Sequence, residues 1–129
     1  MKLFIEKESL ADDVKKIFTT CYPFLKIEFY KKTPPHTAAI LKKEVMPFNL
    51  PLVQFINGNS KTVIDISHNI TVEQLEDQFA SLGLLSEVFR KSGNVWKETS
   101  LTNNWTLQQQ NMEGEEISRH FDKKTPLNQ

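Results

Sequence analysis

The 129-residue sequence contains one cysteine, four glycines and six prolines, and it carries no net charge. The single cysteine, Cys21, excludes an internal disulfide and is typical of a reducing, intracellular compartment. The low glycine and proline content argues against a disordered linker and against a fibrous repeat. Because 16 basic residues balance 16 acidic residues, bulk charge cannot hold the chain on nucleic acid or on an anionic membrane, whereas a local basic patch is compatible with this balance.

Long apolar runs are also missing. No stretch approaches the roughly 20 apolar residues of a membrane span. The apolar segment 3–5 is too short for the core of a signal peptide, so we expect a cytoplasmic protein that does not contact a membrane. A chain of this length forms one domain, which hides roughly two-thirds of its unfolded surface on folding. We place this domain at residues 1–122 and expect a frayed tail at 123–129.

The hydrophobic pattern alternates between the periods of strand and helix. A period of two, clearest at 25–30, and β-branched composition predict strands at 2–6, 25–30, 62–67 and 94–100. Apolar residues spaced by three and four predict an amphipathic helix of about four turns between Ser9 and Pro23. A second helix is predicted from its capping box at Thr71, with Gly83 beyond its end.

Three segments are less clear. Residues 31–51 contain several prolines and read as an irregular insertion or a mobile functional loop. Residues 52–56 fit a strand that the Asn57-Gly58 turn would join to 62–67 as a hairpin. Residues 85–93 fit either a strand or a helical turn. A second capping box, at Thr106, predicts a short C-terminal helix that stops near Gly114.

This order of elements predicts an α+β domain without an internal repeat. The simplest topology is a ferredoxin-like β-α-β-β-α-β sandwich, in which helices cover one face of a four-stranded sheet. The irregular insertion at 31–51 and the short C-terminal helix and tail are additions to it. A mixed sheet with another strand order fits nearly as well.

No pattern typical of a catalytic or metal site is present. The three histidines, His36, His68 and His120, lack second ligands at metal-binding spacing, so we expect no metal. Cys21 lies on the apolar stripe of the first helix, where a cysteine usually serves as a small hydrophobic residue. The four glycines are isolated, so no phosphate-binding loop is predicted. We therefore name no catalytic residue and no cofactor, and we leave open whether the protein is an enzyme.

The turn at Gly93 is the most suggestive segment. It gathers cationic and hydrogen-bonding groups that, with Trp96 or Trp105, could bind an anion or a carboxylate. The candidate ligand-binding residues are Arg90, Lys91, Ser92, Asn94 and Trp105. Ordinary turn chemistry is the favoured alternative, because it accounts for each residue of this segment except Trp96.

Aromatic residues and lysines are expected on the open face of the sheet. Phe4 and Tyr30 point away from the predicted helices, and Trp96 joins them if its register allows. Such a face can stack RNA bases, form a homodimer interface, or be covered by the segment around Trp105. Nucleic acid is the weaker interpretation, because the third strand would present an acid, Asp65, and no aromatic residue there.

Three segments form a recognisable set: YPFLKIEF at 22–29, VFRKSGNVWKET at 88–99 and WTLQQQN at 105–111. They resemble stretches of a family of small bacterial proteins of uncharacterised function, and their order and spacing suit the whole chain. The resemblance implies a compact bacterial cytoplasmic domain. It carries no activity, cofactor or catalytic residue with it.

Three functional hypotheses remain. The first is a non-enzymatic binding or interaction domain that forms a homodimer, with Phe4, Tyr30 and Trp96 as interface anchors. The second is a small-molecule or anion-binding protein, with or without enzymatic activity, that uses the Arg90–Asn94 turn. The third, RNA or single-stranded DNA binding, is less favoured. Lysines gather at 26–43 and acids at 113–116, so the molecule has the means to form a basic side and an acidic side.

Overall fold

The computed structural model describes residues 1–31, 44–45, 51–55 and 62–124. Their elements, in chain order, are β1 (Lys2–Ile5), α1 (Ala11–Cys21), β2 (Leu25–Lys31), β3 (Glu44–Val45), β4 (Thr62–Asp65), α2 (Val72–Ala80), β5 (Leu85–Ser92), β6 (Val95–Glu98) and α3 (Leu107–Lys124), with 3-10 turns at Leu52–Phe55 and Ser100–Thr102. The fold is α+β, which confirms the predicted class.

The strands divide between two antiparallel sheets. β1 pairs with β4, and a four-stranded sheet has the order β3-β2-β5-β6. The ferredoxin-like arrangement, which needs its four main strands in one sheet, is not confirmed. The difference arises because β4 pairs only with β1 among the described strands. β5, whose segment the sequence leaves undecided, takes the central place beside β2.

Several local predictions are confirmed. Thr71 caps α2 with the predicted capping box to Gln74. Gly83 follows this helix with a φ of 86°, a conformation that glycine adopts without strain. The second capping box is formed by Thr106 and Gln109, which exchange hydrogen bonds of 2.8 and 3.1 Å.

Other local predictions are wrong. Leu52–Phe55 is a 3-10 turn instead of a strand, so the hairpin into 62–67 does not form there; Asn57-Gly58 itself lies outside the described residues. α3 continues through Gly114 to Lys124. Of the expected insertion at 31–51, only the ends and the short strand β3, paired with β2, belong to the described residues. Residues 125–129 of the expected tail also lie outside them.

The described chain contains two units with the same order of elements. The first is β1-α1-β2-β3, and the second is β4-α2-β5-β6. Buried residues of the first unit have buried counterparts sixty-one positions later, namely Leu3 and Ile64, Ile5 and Ile66, Ala11 and Val72, Val14 and Leu75, and Phe18 and Phe79. The repeat is not evident in the sequence because most of these pairs differ in residue type.

An approximate two-fold axis relates the units. Leu3 pairs with its own counterpart, Ile64, in the β1–β4 ladder, and Ile27 pairs with its counterpart, Val88, in the β2–β5 ladder. Antiparallel pairing between equivalent residues is what a two-fold axis through both ladders produces. The order β3-β2-β5-β6 has the same symmetry.

The segments that follow the two units begin alike and then differ. Leu52 N–H donates to the Ser9 carbonyl and Leu107 N–H donates to the Ile70 carbonyl, both at 2.7 Å. Ser9 and Ile70 each precede the N-cap residue of a helix. From this shared point the first unit makes a 3-10 turn of 4 residues, whereas the second makes the 18 residues of α3. Within the described ranges, α3 is therefore the main departure from the symmetry.

A single hydrophobic core spans both units. Phe29 of β2 contacts Phe79 of α2 edge to face, with ring centroids 5.0 Å apart. Tyr22, which follows α1, is buried, and its hydroxyl donates a hydrogen bond of 2.5 Å to the carbonyl of Ile66, which follows β4. Burying each such apolar side chain contributes about 1.5–3 kcal/mol, so these contacts bind the two units into one folding unit.

α3 packs closely on β5 through small and polar residues. Its buried positions are Leu107, Gln110, Gly114 and Ser118, at the spacing of one helix face. A Cβ atom at Gly114 would lie 2.9 Å from the Phe24 Cβ and 3.2 Å from the Lys91 carbonyl oxygen. Gly114 is therefore kept inside the helix by this close approach, although glycine weakens helices.

The substitution Gly114→Ala tests this packing, because close packing and helix propensity predict opposite signs for the change in the free energy of unfolding. At an exposed helical site alanine would stabilise by about 1 kcal/mol relative to glycine. Here we expect a net loss of about 1–3 kcal/mol in the free energy of unfolding, because the methyl group overlaps β-strand backbone and the Phe24 side chain. Urea unfolding measures it, with Gln108→Ala on the exposed side of α3 as a near-neutral control. An increase in stability for Gly114→Ala would contradict the packing described.

Candidate functional site

Arg90 and Trp105 meet beneath α3. Arg90 lies on the inner face of the four-stranded sheet, the face that carries the buried Leu25 opposite it. Its Nη1 donates to the Gln110 Oε1 at 2.9 Å, and its guanidinium carbon lies 5.6 Å from the centroid of the Trp105 ring. Gln110, which is fully buried, donates in turn to the Thr102 carbonyl at 2.7 Å. Arg90 thus links β5 to α3 and to the turn before it.

The other residues of the predicted ligand site are dispersed. Lys91 lies on the opposite face of the sheet, where it pairs with Trp96. Ser92 pairs with Val95, and Asn94 is exposed at the tip of the hairpin. The structure therefore brings together Arg90 and Trp105 of the predicted set and does not gather the remaining three around them.

The turn itself is a β-hairpin loop instead of a helix end. Gly93 has a φ of 70°, which favours glycine at this position. Its N–H donates to the Ser118 Oγ of α3 at 3.3 Å. The glycine thus serves the hairpin and its contact with α3.

The three predicted interface residues lie on two different sheets. Tyr30 and Trp96 share the outer face of the four-stranded sheet, which settles the register of Trp96. Phe4 lies on the β1–β4 sheet instead and is 53% exposed. Sequence alternation assigned it an outward direction correctly, but it does not join the other two aromatic residues.

The outer face of the four-stranded sheet is occupied by its own charges. The Lys26 Nζ lies 5.2 Å from the ring centroid of Phe89 and 5.3 Å from that of Trp96. It also lies 3.8 Å from the Glu28 carboxylate, which the Lys15 Nζ approaches to 2.8 Å. These two aromatic rings therefore already have a cation of the same chain beside them.

Tyr30 is held in its protonated form on this face. Burial first, and then the charge and hydrogen bond of Glu87, raise its pKa to about 12; Glu28 and Glu98 add to the effect. Glu28 and Glu87 are directly opposite each other, an arrangement that repels unless other groups compensate. The Tyr30 hydroxyl and the two lysines near Glu28 provide this compensation.

The outward side of the β1–β4 sheet forms a small surface that we call the ribbon patch: Lys2, Phe4, Val63 and Asp65. Phe4 pairs directly with Val63, which is 45% exposed, and Lys2 pairs with Asp65. Hydrogen bonds from the side chain and backbone of Ser67 lower the pKa of Asp65, so its carboxylate stays charged. The patch combines an exposed apolar pair with one charge of each sign.

A groove follows the exposed side of α3. Trp105, Gln109, Met112, Glu113 and Glu116 line a depression of about 320 Å³. A second depression of about 300 Å³ shares Met112 and Glu116 and adds Glu115, Arg119 and His120. We call the two together the α3 groove. Sequence reasoning identified Trp105 and the acids at 113–116 separately and did not name Met112. It could not place Glu116 on one helix face with Met112, because the helix was expected to stop near Gly114.

Within residues 1–31, 44–45, 51–55 and 62–124, no group of three or more His, Cys, Asp or Glu side chains is placed to hold a metal ion. Cys21 is half-buried and packs against the hydrophobic core, as its place on the apolar stripe predicts. No helix in the described part of the chain is long and apolar enough to cross a membrane.

Titration of the two tyrosines tests the outer face and the core together. Burial also raises the pKa of Tyr22 to about 12. Since the pKa of an unfolded tyrosine is about 10, we expect the folded protein to form little tyrosinate up to about pH 11. Because both folded pKa values are raised, the stability that the protonated hydroxyls contribute is complete below pH 10 and is lost as the pH rises toward 12.

The measurement is tyrosinate absorbance against pH, in the folded protein and in denaturant. Glu87→Gln is expected to lower the pKa of Tyr30 alone, whereas Glu73→Gln, an exposed change on α2, should leave both titrations unchanged. A tyrosine that titrates near pH 10 in the folded wild type would contradict the environment described.

Comparisons with family models, with curated proteins and with solved structures found no match. The resemblance to small bacterial proteins therefore stays an expectation. The function of the chain is inferred from its own residues and their geometry.

Proposed function

We propose that this chain is a non-enzymatic protein-interaction domain of the cytoplasm and that it forms a homodimer through the ribbon patch. The observation that carries the proposal is the exposed cross-strand pair of Phe4 and Val63. Both side chains are about half exposed although they lie on a sheet whose other side belongs to the core. An exposed aromatic residue is a typical anchor of a protein interface, and Val63 beside Phe4 extends its apolar surface.

The charges of the patch favour a second copy as the partner. A two-fold dimer places the same surface on both sides of the contact. Lys2 and Asp65 lie opposite each other in the ladder, next to the apolar pair. Two such patches can meet with Phe4 and Val63 at the centre. The lysine of each copy can then form an ion pair with the aspartate of the other copy. A patch of one charge sign would instead repel its own copy.

The limited extent of the β1–β4 sheet also supports an additional contact there. The sheet has two strands, and neither has a further strand partner within the described residues. Two-stranded sheets are marginally stable unless another layer covers them. The core covers one side through Leu3, Ile5 and Ile64, and a second copy would cover the other.

The two alternative functions have less support. Anion binding at the Arg90–Asn94 turn requires groups that converge, but Lys91 and Asn94 lie away from Arg90, which contacts Gln110 and Trp105 instead. RNA binding on the outer face requires free aromatic rings. Lys26 already lies beside both Phe89 and Trp96 on that face.

Sedimentation equilibrium of wild type and Phe4→Asp tests the proposed dimer. We expect the wild type to approach twice the chain mass of 15.0 kDa as its concentration rises. Phe4→Asp should remain monomeric, because it places a carboxylate in the centre of the apolar contact. Val95→Asp is the matched control, since Val95 is a similarly exposed strand residue, at 47%, on the other sheet.

Circular dichroism must show that each variant is folded. A wild type that stays monomeric at high concentration would contradict the proposal. A dimer that persists in Phe4→Asp, or that dissociates equally in Val95→Asp, would show that the ribbon patch is not the interface.

A further inference from the structure

The α3 groove combines an apolar floor with an acidic rim. Trp105 lies just before the helix, and Met112 on its exposed side is 59% exposed. Gln109, Glu113 and Glu116 lie on the same side, since residues three and four apart share a helix face. Arg90 lies over the Trp105 ring and fixes one side of the indole. Trp105 therefore forms the end of the groove nearest the start of α3, and the guanidinium of Arg90 lies against its ring.

Among the described residues, the negative charges of the groove outnumber the positive ones. Of its three glutamates, Glu115 pairs with Arg119. Among the described residues, the partner of Glu116 is His120, whose Nε2 lies 3.8 Å away and which is charged only when protonated. Glu113 has no ion-pair partner in the described part of the chain. Three glutamates thus face Arg119 and, at the Trp105 end, Arg90, which leaves a small excess of negative charge beside exposed apolar surface among the described residues.

We propose that the α3 groove binds a basic segment of a partner protein, and that a lysine side chain of this segment lies between Trp105, Met112 and the carboxylates of Glu113 and Glu116. The chemistry of the groove matches both parts of a lysine. Its aliphatic stem packs on the indole and on the flexible thioether, and its ammonium group contacts the two carboxylates. The Trp105 ring already has Arg90 on one side, so its contribution to the lysine is apolar surface for the stem.

The shape of the groove favours a peptide over a free amine. Small-molecule sites enclose most of their ligand, whereas Met112, Glu116 and His120 lie on open helix surface. The groove runs from Trp105 to His120, a length of roughly 20 Å at the rise of an α-helix. An extended or helical segment can contact this length, and a single amine cannot.

The fluorescence of Trp105 in the full chain tests the proposal. The chain has 2 tryptophans, so Trp96→Phe leaves Trp105 as the only one. The probe is a short capped peptide of alternating lysine and leucine, and a glutamine–leucine peptide of the same length is its control. At low salt we expect a saturable change in Trp105 fluorescence with the lysine peptide, weakened by added salt, and little change with the glutamine peptide.

Two double variants locate the site. Glu113→Gln with Glu116→Gln should weaken binding by at least roughly tenfold, because it removes both unbalanced carboxylates. Glu73→Gln with Asp77→Asn removes the same amount of charge from the exposed side of α2 and should leave the affinity within about twofold. Thermal unfolding of each variant checks that the fold is retained.

Three outcomes would overturn the proposal. The first is the absence of binding by the lysine peptide at low salt. The second is equal weakening by both double variants, which would assign the interaction to bulk charge. The third is binding of n-butylammonium as tight as that of the peptide, which would indicate a small-amine site. None of these outcomes depends on the mass of the protein, so failure of the dimer and failure of the groove are distinguishable.

Discussion

The antiparallel pairing of β2 with β5 is the constraint on which the rest of the structure depends. It joins the two units of the chain at the centre of the four-stranded sheet, with Ile27 opposite its own counterpart Val88. Without it the four-stranded sheet would divide into two pairs of strands, β2–β3 and β5–β6, and two-stranded sheets are marginally stable. The pairing also presents Leu25, Ile27 and Phe29 together to the core, where Phe79 of the other unit contacts Phe29.

The surface features of the second unit arise from the positions at which its residues and elements differ from those of the first unit. The counterpart of Phe29, sixty-one positions later, is Arg90, so a guanidinium lies on the inner face where the first unit has a ring. A partly buried guanidinium needs hydrogen-bond acceptors, and Gln110 of α3 provides one. The long α3, in place of the 3-10 turn of the first unit, thus covers Arg90 with its inner side. Its outer side is left as exposed helix surface that the symmetry does not duplicate.

The sequence predicted local secondary structure better than the pairing of strands. The strand at 25–30 and the capping box at Thr71 depend on nearby residues alone, and both are present. The strand β5 was ambiguous because its inward positions include Ser86 and Arg90, which break the apolar alternation. The partner of β4 could not be deduced, because two-fold pairing with β1 depends on contacts between distant parts of the chain. The repeat was hidden for a related reason. Corresponding positions of the two units are both buried, but most of them carry different residue types.

For the candidate sites, too, the sequence predicted local features better than contacts between distant parts of the chain. The outward direction of Phe4 followed from the alternation of its strand, but its separation from Tyr30 and Trp96 followed only from the division into two sheets. The α3 groove required a helix that continues past Gly114. If the helix stopped there, as glycine suggests, Glu116 would not lie on the same helix face as Met112. The close contact of Gly114 with β5 is therefore what makes the groove continuous.

The two proposed surfaces have different symmetry, and this has a consequence for binding. The ribbon patch is a surface that two copies can share about a two-fold axis. The α3 groove has no counterpart among the residues of the first unit that the structure describes. A dimer through the ribbon patch therefore carries two grooves. A partner with two basic segments at a matching distance would bind both, and the second contact would then be intramolecular, which raises the overall affinity by about 10²–10⁴ without any new contact. Because this gain requires the dimer, loss of Phe4 would weaken binding of such a bivalent partner and leave the binding of a single segment unchanged.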